Sequence, residues 1–224
     1  MQIGVMGATG PAGGALAARL AGLGYDVVAG SRDPARARAA VDELRGRWGD
    51  RVDGLRAGAN ADAAEAELVV IGVQWEGAVE TVAQHAAALS GKVVVSMANA
   101  LTKVGREFHP IVPAEGSLAL AMQKIAPEAH IATAFQHIPA AALADLDRAV
   151  ECDVVVTADD DAARDTVLDL VAAIPDLRPF DAGSLANAVG IEAFTATLLS
   201  VNLRHKGRSS LRLVGVEPKS RDDR

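Results

Sequence analysis

Cysteine and long apolar runs are scarce in this chain of 224 residues. Its one cysteine, Cys152, excludes an internal disulfide and a CxxC metal site. No apolar run approaches the roughly 20 residues that a membrane-spanning helix needs, and no signal peptide precedes the strand pattern that starts at Gln2. Together these absences predict a cytoplasmic protein without a membrane partner.

The chain also has no excess of positive charge and no recognisable cluster of catalytic side chains. The formal net charge is −7, so nucleic acid is not a predicted partner. The five histidines are scattered without HExxH spacing, which predicts no metal site, and no GxSxG nucleophile turn occurs. Hydride transfer between bound cofactors needs few such groups, because the cofactors carry the chemistry.

The most informative segment that is present covers residues 2–32. The strand pattern Gln2–Met6 leads into a glycine turn, an apolar helix and a second strand. This order and spacing are typical of the first βαβ unit of a dinucleotide-binding domain. Gly10 would let the backbone approach a diphosphate, and Gly13 would let the helix pack closely on the strand. The strict GxGxxG pattern is not met, because Ala8 stands at the first glycine position, so an ordinary βα turn stays an alternative.

The end of the second strand carries Ser31 and Arg32 where NAD-binding proteins have an acid. Arg36 follows about one helical turn later. Arginine pairs with phosphate in two places and serine adds a hydroxyl donor, so the segment predicts NADP(H) rather than NAD(H). The alternative is that both arginines are solvated charges at a helix start. Asp33 is the only acid nearby, and it is predicted to be the N-cap of that helix.

Apolar strand patterns alternate with helix patterns along most of the chain. We predict an α/β fold, a Rossmann-like doubly wound parallel sheet with a small C-terminal α/β unit. The predicted domains are residues 1–136, which bind NADP, and residues 137–224, which close the cleft over the reacting rings. Residues 97–113 are predicted to be irregular and to lie at the carboxyl edge of the sheet, where ligands bind.

Small residues at this edge, at positions 97–100 and 139–141, would leave room for stacked planar rings. Val73 and Trp75 follow the fourth strand and are predicted to flank a nicotinamide ring, although Trp75 also suits a core position. His137 is the titratable side chain of this zone. It could contact the substrate, or it could be a surface or capping histidine, and the sequence leaves both roles open.

Five motifs of this chain occur together in one known family. They are residues 7–13, Gly30-Ser31-Arg32, Trp75-Glu76, Ile138-Pro139-Ala140-Ala141 with Leu146-Asp147, and residues 177–185. With them the chain resembles the NADPH-dependent coenzyme F420 reductase family over nearly its whole length. The resemblance implies direct hydride transfer between the nicotinamide ring of NADP(H) and the deazaflavin ring of coenzyme F420.

The resemblance also implies a set of cofactor contacts. Those expected at the diphosphate and the 2′-phosphate of NADP(H) are Gly7, Thr9, Gly10, Pro11, Ala12, Gly13, Ser31, Arg32 and Arg36. Ala140 is expected beside the two rings, and Val73, Trp75 and Leu211 complete the predicted cofactor contacts. Gln136 and His137 stand where some members have a histidine one position earlier and then a threonine, so His137 inherits no role from that histidine.

The C-terminal region carries a basic cluster, which consists of Arg204, His205, Lys206, Arg208 and Arg212. It could be a solvated helix end, or it could hold the anionic polyglutamate tail of coenzyme F420, which is a hypothesis. The apolar helix predicted near residues 184–205 favours a subunit interface or core, and a homodimer is the predicted assembly.

Two further functions stay open at this point. One is an NADPH-dependent imine or keto-acid reductase similar to pyrroline-5-carboxylate reductase, although too few residues remain here for that family's long C-terminal helical domain. The other is a non-enzymatic module that binds NADP(H) and reports the redox state through a partner.

Overall fold

The computed structural model describes residues 1–219. The strands are β1 (Gln2–Met6), β2 (Asp26–Ser31), β3 (Leu55–Ala59), β4 (Leu68–Ile71), β5 (Val93–Ser96), β6 (Leu101–Val104), β7 (Glu107–Pro110), β8 (His130–Thr133), β9 (Cys152–Ala158) and β10 (Leu177–Asp181). The α-helices are α1 (Pro11–Gly22), α2 (Pro34–Trp48), α3 (Asn60–Ala64), α4 (Trp75–Leu89), α5 (Leu118–Ile125), α6 (Ala140–Leu143), α7 (Asp161–Ala172) and α8 (Ala188–His205).

Eight of these strands form one sheet in the order β10-β9-β8-β5-β4-β1-β2-β3. Neighbouring strands from β3 to β8 run parallel, and the order reverses between β1 and β4. Strands such as β4 are apolar on both faces because helices cover the sheet on each side. The predicted α/β, doubly wound class is therefore confirmed, and its switch point lies beside β1, where ligands bind in such sheets.

Two apolar cores lie on the two faces of the sheet. Leu16 and Leu20 of α1 and Val167 of α7 belong to one core. Val82 of α4 and Met122 of α5 belong to the other. Because each helix buries one apolar stripe against the sheet, the carboxyl ends of the parallel strands stay uncovered between the helix layers.

The last two strands, β9 and β10, belong to the same sheet but run antiparallel to its other strands. Strand β9 pairs with β8 in antiparallel fashion at only two positions, and β10 lies parallel to β9. The start of β9 therefore projects past the end of β8 at the carboxyl edge. The predicted boundary after residue 136 falls between β8 and α6, and the division into units 1–136 and 137–224 stays a prediction.

The prediction that residues 97–113 are irregular is wrong for their central part. Strands β6 and β7 form a two-stranded antiparallel hairpin at that place. The hairpin packs on α8, where the Phe108 amide donates to Ser200 Oγ over 2.8 Å. Its strands are mostly exposed and mix polar with apolar residues, so they lack the continuous apolar run that identifies a buried parallel strand.

Two features of this fold concern membrane contact and the reactivity of its cysteine. Across residues 1–219, each helix is too short or too polar to cross a lipid bilayer. Cys152 lies buried at the start of β9, and this burial raises the pKa of its thiol to about 11. A thiol with such a pKa is protonated and a poor nucleophile at neutral pH.

Candidate functional site

The turn after β1 is held by backbone contacts and tolerates no added side-chain atom at two positions. Gly7 has φ +81°, and a Cβ there would lie 2.6 Å from Val73 Cγ1. A Cβ on Gly13 would lie 2.8 Å from the Gly7 carbonyl oxygen, so α1 packs directly on the turn. The departure at Ala8 is accommodated because Gly7 carries the positive φ, and the amides of both residues donate to the Gly30 carbonyl over 3.0 Å.

The N-terminus of α1 opens at the carboxyl edge of the sheet with free amide donors. Gly10 is the N-cap, Pro11 follows it at the first helical position, and no side chain of the described chain caps this end. The Gly14 amide makes the first helical bond, to the Gly10 carbonyl over 2.9 Å. The amides of Ala12 and Gly13 therefore have no carbonyl within the helix to bond. Since the first turn carries no acidic residue, this end of the helix attracts an anion.

A cavity of about 920 Å³ begins at this helix terminus and runs along the sheet edge. Ten residues predicted from the sequence line it: Gly7, Thr9, Gly10, Pro11, Ala12, Ser31, Arg32, Arg36, Val73 and Trp75. Gly13 lies directly behind the turn, within α1. The cavity thus brings together residues from the ends of β1, β2 and β4. Their contact with a bound cofactor stays a prediction.

The end of β2 presents two exposed arginines to the cavity. Ser31 is buried, and its Oγ accepts a hydrogen bond from the Asp33 amide over 3.2 Å. Asp33 is the N-cap of α2, as predicted, because its carboxylate accepts from the Ala35 amide over 2.8 Å. The carboxylate of Asp33 thus caps the helix, and Arg32 and Arg36 are both part of the cavity wall. A phosphate group at this end would meet two positive charges.

The cavity also has walls beyond the predicted cofactor contacts. Met97, Ala98 and Asn99, from the segment 97–100 that was predicted to leave room for the rings, line it, and so does Glu76 of the Trp75-Glu76 motif. Residues that the sequence analysis did not single out are Asn60 at the start of α3, Glu80, Thr81 and Gln84 on α4, and Leu101. Asn60 could have been found from its position directly after a strand, at the carboxyl edge. The last three α4 residues gave no such signal, because a helix face turned towards a cavity looks like any solvated face.

His137, Ala140 and Leu211 do not belong to the wall of this cavity. His137 is buried, and its Nε2 bonds the Asp153 carbonyl over 2.7 Å. Burial lowers the pKa of His137, so the ring is neutral at physiological pH, and Nε2 carries the proton because a carbonyl only accepts. The Leu211 carbonyl accepts from the Asp153 amide over 2.9 Å. Both residues are therefore fixed by the first residues of β9, and their contact with a cofactor stays a prediction.

The carboxylate of Asp153 anchors this part of the molecule. It is fully buried and accepts two bonds from Arg178, 2.6 Å from Nε and 2.8 Å from Nη2, and a third from the Leu213 amide. Burial acts to raise the pKa of Asp153, but the bonds from Arg178 and Leu213 outweigh it and hold the pKa below its usual range. The ion pair thus fastens residues 211–213 beside β9 and β10.

Ala140 begins α6, and the segment behind it is fixed to α1 by a buried arginine. The Arg19 guanidinium donates to the carbonyls of Leu143 over 3.1 Å, of Ala142 and Arg148 over 3.0 Å each, and of Asp145. Burial lowers the pKa of Arg19, and only 6% of the residue is exposed. The helix whose uncapped N-terminus opens into the cavity therefore also positions the small-residue segment at 139–141.

A parallel sheet with a glycine turn, an uncapped helix terminus and two arginines at the end of β2 defines a Rossmann-type dinucleotide-binding protein. Residues 2–100 match the family described as NADP oxidoreductase, coenzyme F420-dependent. The chain is 34% identical to the F420-dependent NADP reductase of Methanocaldococcus jannaschii, over 97% of this chain and 100% of that protein. It is 32% identical to the enzyme of the same name from Methanothermobacter marburgensis, over 94% of this chain and 96% of the relative.

The chain also superposes on a solved structure from Arthrobacter sp. FB24 that is described as a candidate F420-dependent NADP reductase. The TM-score is 0.82, and the sequence identity is 27%. The match covers 96% of this chain and 99% of that one. The chain belongs to the F420-dependent NADP reductase family, and the resemblance inferred from the sequence is confirmed.

Proposed function

We propose that this protein catalyses direct hydride transfer between NADP(H) and coenzyme F420. The observation that carries the proposal is a single cavity that joins the α1 terminus to the arginines after β2 and continues past β4 and β5. Relatives named F420-dependent NADP reductase match the chain from end to end, which favours this function over the imine or keto-acid reductase.

Each part of the cavity has a role in this proposal. The amides of Ala12 and Gly13 bind the diphosphate, and Ser31, Arg32 and Arg36 bind the 2′-phosphate. Val73 and Trp75 flank the nicotinamide ring. The two cofactors supply the hydride donor and acceptor carbons, and the protein contributes position, since transfer needs these carbons about 3–3.5 Å apart.

The ring end of the proposed site combines that cavity with the segments beside it. Ala140, on the segment that Arg19 fixes, presents a small side chain, and Leu211 is fixed by Asp153. We place both beside the stacked rings, with His137 as a neutral neighbour rather than an acid. No proton transfer by a side chain is needed for hydride transfer, so we assign no catalytic acid or base.

One assay separates the three functions considered. The purified protein is mixed with NADPH and oxidised coenzyme F420, and the F420 absorbance is followed. Loss of absorbance with matching NADPH oxidation supports the proposal. NADPH oxidation that requires a cyclic imine or a keto acid supports the alternative reductase. Tight NADPH binding without turnover of either supports the sensing module.

The choice of NADP(H) over NAD(H) predicts the effect of Arg32→Ala. Loss of a charge-assisted contact of about 1.5–3 kcal/mol should weaken NADPH binding roughly tenfold to a hundredfold and leave NADH binding unchanged. Fluorescence titration with both nucleotides measures this. Arg38→Ala is the matched control, because Arg38 is exposed on α2, the helix that follows Arg32, and is not part of the cavity wall. An unchanged preference in Arg32→Ala contradicts the assignment.

We also propose that the protein is a cytoplasmic homodimer. Helix α8 exposes Phe194 and Val201, which lie seven residues apart and so on one face of the helix, with half-buried Leu198 between them. A second copy would cover this apolar stripe. Light scattering should give a mass about twice the 23.0 kDa of one chain, and the mass of a single chain contradicts the dimer.

The basic cluster near the C-terminus supports a narrower proposal than the sequence suggested. Arg204 is already paired with Glu107, and Arg212 lies 3.6 Å from the Asp153 carboxylate. Lys206 and Arg208 are exposed just after α8. We therefore propose Lys206 and Arg208 as the cations that attract the polyglutamate tail of coenzyme F420.

A further inference from the structure

The ends of β5 and β8 bring two amide side chains together at the carboxyl edge. Ser96 and Thr133 are register partners in these neighbouring parallel strands, so the residues that follow them leave the sheet side by side. The Asn99 Nδ2 group donates to the Gln136 carbonyl over 2.8 Å. This bond fixes the orientation of the Asn99 amide, because only its nitrogen can donate, and leaves Oδ1 as a free acceptor.

Three polar atoms at this place have no partner. Asn99 Oδ1 and both amide atoms of Gln136 are buried without a hydrogen bond to any group in residues 1–219. Gln136 is only 5% exposed. Buried polar atoms are nearly always paired in native proteins, because leaving one unpaired forfeits its hydration. Asn99 lines the large cavity, and Gln136, which does not, is joined to it by the Asn99–Gln136 bond. These unpaired atoms therefore adjoin the cavity and indicate a ligand that pairs with them.

The position along the sheet tells which part of a dinucleotide would come here. Asn99 lines the same cavity as the α1 terminus and Arg32. The strand order β5-β4-β1-β2 places the α1 terminus between Asn99 and Arg32. The ends of β5 and β2 are about 14 Å apart, at roughly 4.8 Å for each of the intervening spacings. With the 2′-phosphate at β2 and the diphosphate after β1, the nicotinamide ring extends towards β5.

We propose that Asn99 and Gln136 form a recognition site for the nicotinamide carboxamide. The carboxamide NH₂ donates to Asn99 Oδ1, and the Gln136 amide, which can both donate and accept, pairs with the remaining carboxamide atoms. The Asn99–Gln136 bond makes Asn99 a preorganised acceptor. This inference rests on the proposed use of NADP(H), and it assigns the specificity for the ring's amide to two residues for which the sequence analysis predicted no hydrogen bond to a cofactor.

The test compares two dinucleotides by calorimetry, without turnover. The first is NADP⁺, and the second is its 3-acetylpyridine analogue, in which a methyl group replaces the carboxamide NH₂. The wild-type protein should bind NADP⁺ about fivefold to tenfold more tightly, as expected for one neutral hydrogen bond in a desolvated site. In Asn99→Leu this preference should fall to within twofold. Adenosine 2′,5′-bisphosphate, which lacks the nicotinamide half, should bind both proteins equally.

Several results would overturn the inference. The first is that the wild type binds both dinucleotides equally. The second is that Asn99→Leu keeps the preference for NADP⁺. The third is that Asn99→Leu loses affinity only for coenzyme F420. Gln136→Leu, which keeps the backbone carbonyl that Asn99 contacts, is the second variant if Asn99→Leu does not fold, and it should lower the preference at least twofold. If the wild type binds neither NADP⁺ nor adenosine 2′,5′-bisphosphate, the proposed function itself fails. If the wild type binds NADP⁺ and adenosine 2′,5′-bisphosphate but does not prefer NADP⁺ over its 3-acetylpyridine analogue, only this inference fails.

Discussion

The nucleotide cradle at residues 7–36 and the C-terminal region from residue 137 onward are held together by different forces. In the cradle, glycines allow backbone to touch backbone, as between Gly13 and the Gly7 carbonyl. In the C-terminal region, buried charged side chains make the long-range contacts, as in the pair of Asp153 and Arg178. The cradle therefore keeps its backbone donors free for a ligand, whereas the C-terminal region uses its polar groups to fix its own segments.

This difference also determines how each region should respond to change. Added volume should damage the cradle, because its closest contacts are to backbone atoms that cannot turn away. Loss or gain of charge should damage the C-terminal region, since removing one partner leaves the other charge buried and unpaired. Each comparison below pairs a variant in one region with a control in which the same change meets no such contact.

The largest effect is expected for Asp153→Ala. This change leaves Arg178 without its buried partner and frees the Leu213 amide, so we expect a loss of about 3–5 kcal/mol in the free energy of unfolding. Asp147→Ala is the control, because Asp147 pairs with Arg51 over 2.6 Å at an exposed site and should cost less than about 1 kcal/mol. Chemical denaturation measures both. Equal losses in the two variants would show that the buried pair contributes no more than a surface pair.

A smaller but more selective effect is expected for Gly13→Ala. The added Cβ would meet the Gly7 carbonyl oxygen at 2.8 Å, so α1 must shift, at a cost of about 2–3 kcal/mol. NADP⁺ binding should weaken at least tenfold, because the free amides at the start of α1 move with the helix. Gly46→Ala is the control: within residues 1–219, its added Cβ would meet no atom within 4 Å beyond its chain neighbours and the backbone of its own helix. It should stabilise α2 by up to about 1 kcal/mol. Unchanged NADP⁺ affinity in Gly13→Ala would show that the close packing is not required for binding.

The two regions also differ in how well the sequence predicts them. Residues such as Gly10 and Arg32 were found because the cradle is local, with its glycines, helix and second strand at fixed spacing. In the C-terminal region, the bonds that fix residues 142–148 were not found, since their donor, Arg19, belongs to the cradle 123–129 residues away and any residue type can supply a carbonyl. The antiparallel direction of β9 was not predicted for a similar reason, because its apolar pattern suits either strand direction. A binding motif whose residues lie close together in the chain can therefore be predicted from the sequence. Contacts between distant residues through groups that every residue has, such as backbone carbonyls, cannot.

The smallest effect tests whether the C-terminal region also depends on pH through a buried charge. Glu192 of α8 accepts bonds from the Leu118 amide over 2.9 Å and from the Ala119 amide over 3.2 Å, so it caps α5 from another helix. Burial raises the pKa of Glu192 to about 7. The folded state therefore binds a proton more tightly than the unfolded state, and the stability that this proton gives is lost as the pH rises towards 7.

We expect the unfolding free energy of the wild type to fall by about 1–2 kcal/mol between pH 5 and pH 8 on account of this group. Glu192→Gln keeps an acceptor for one α5 amide and cannot ionise, so its stability should change less over the same range. Glu115→Gln is the control, because Glu115 is paired with Lys124 at the surface and should leave the slope in place. Parallel slopes in the wild type and Glu192→Gln would mean that Glu192 is not the group that titrates.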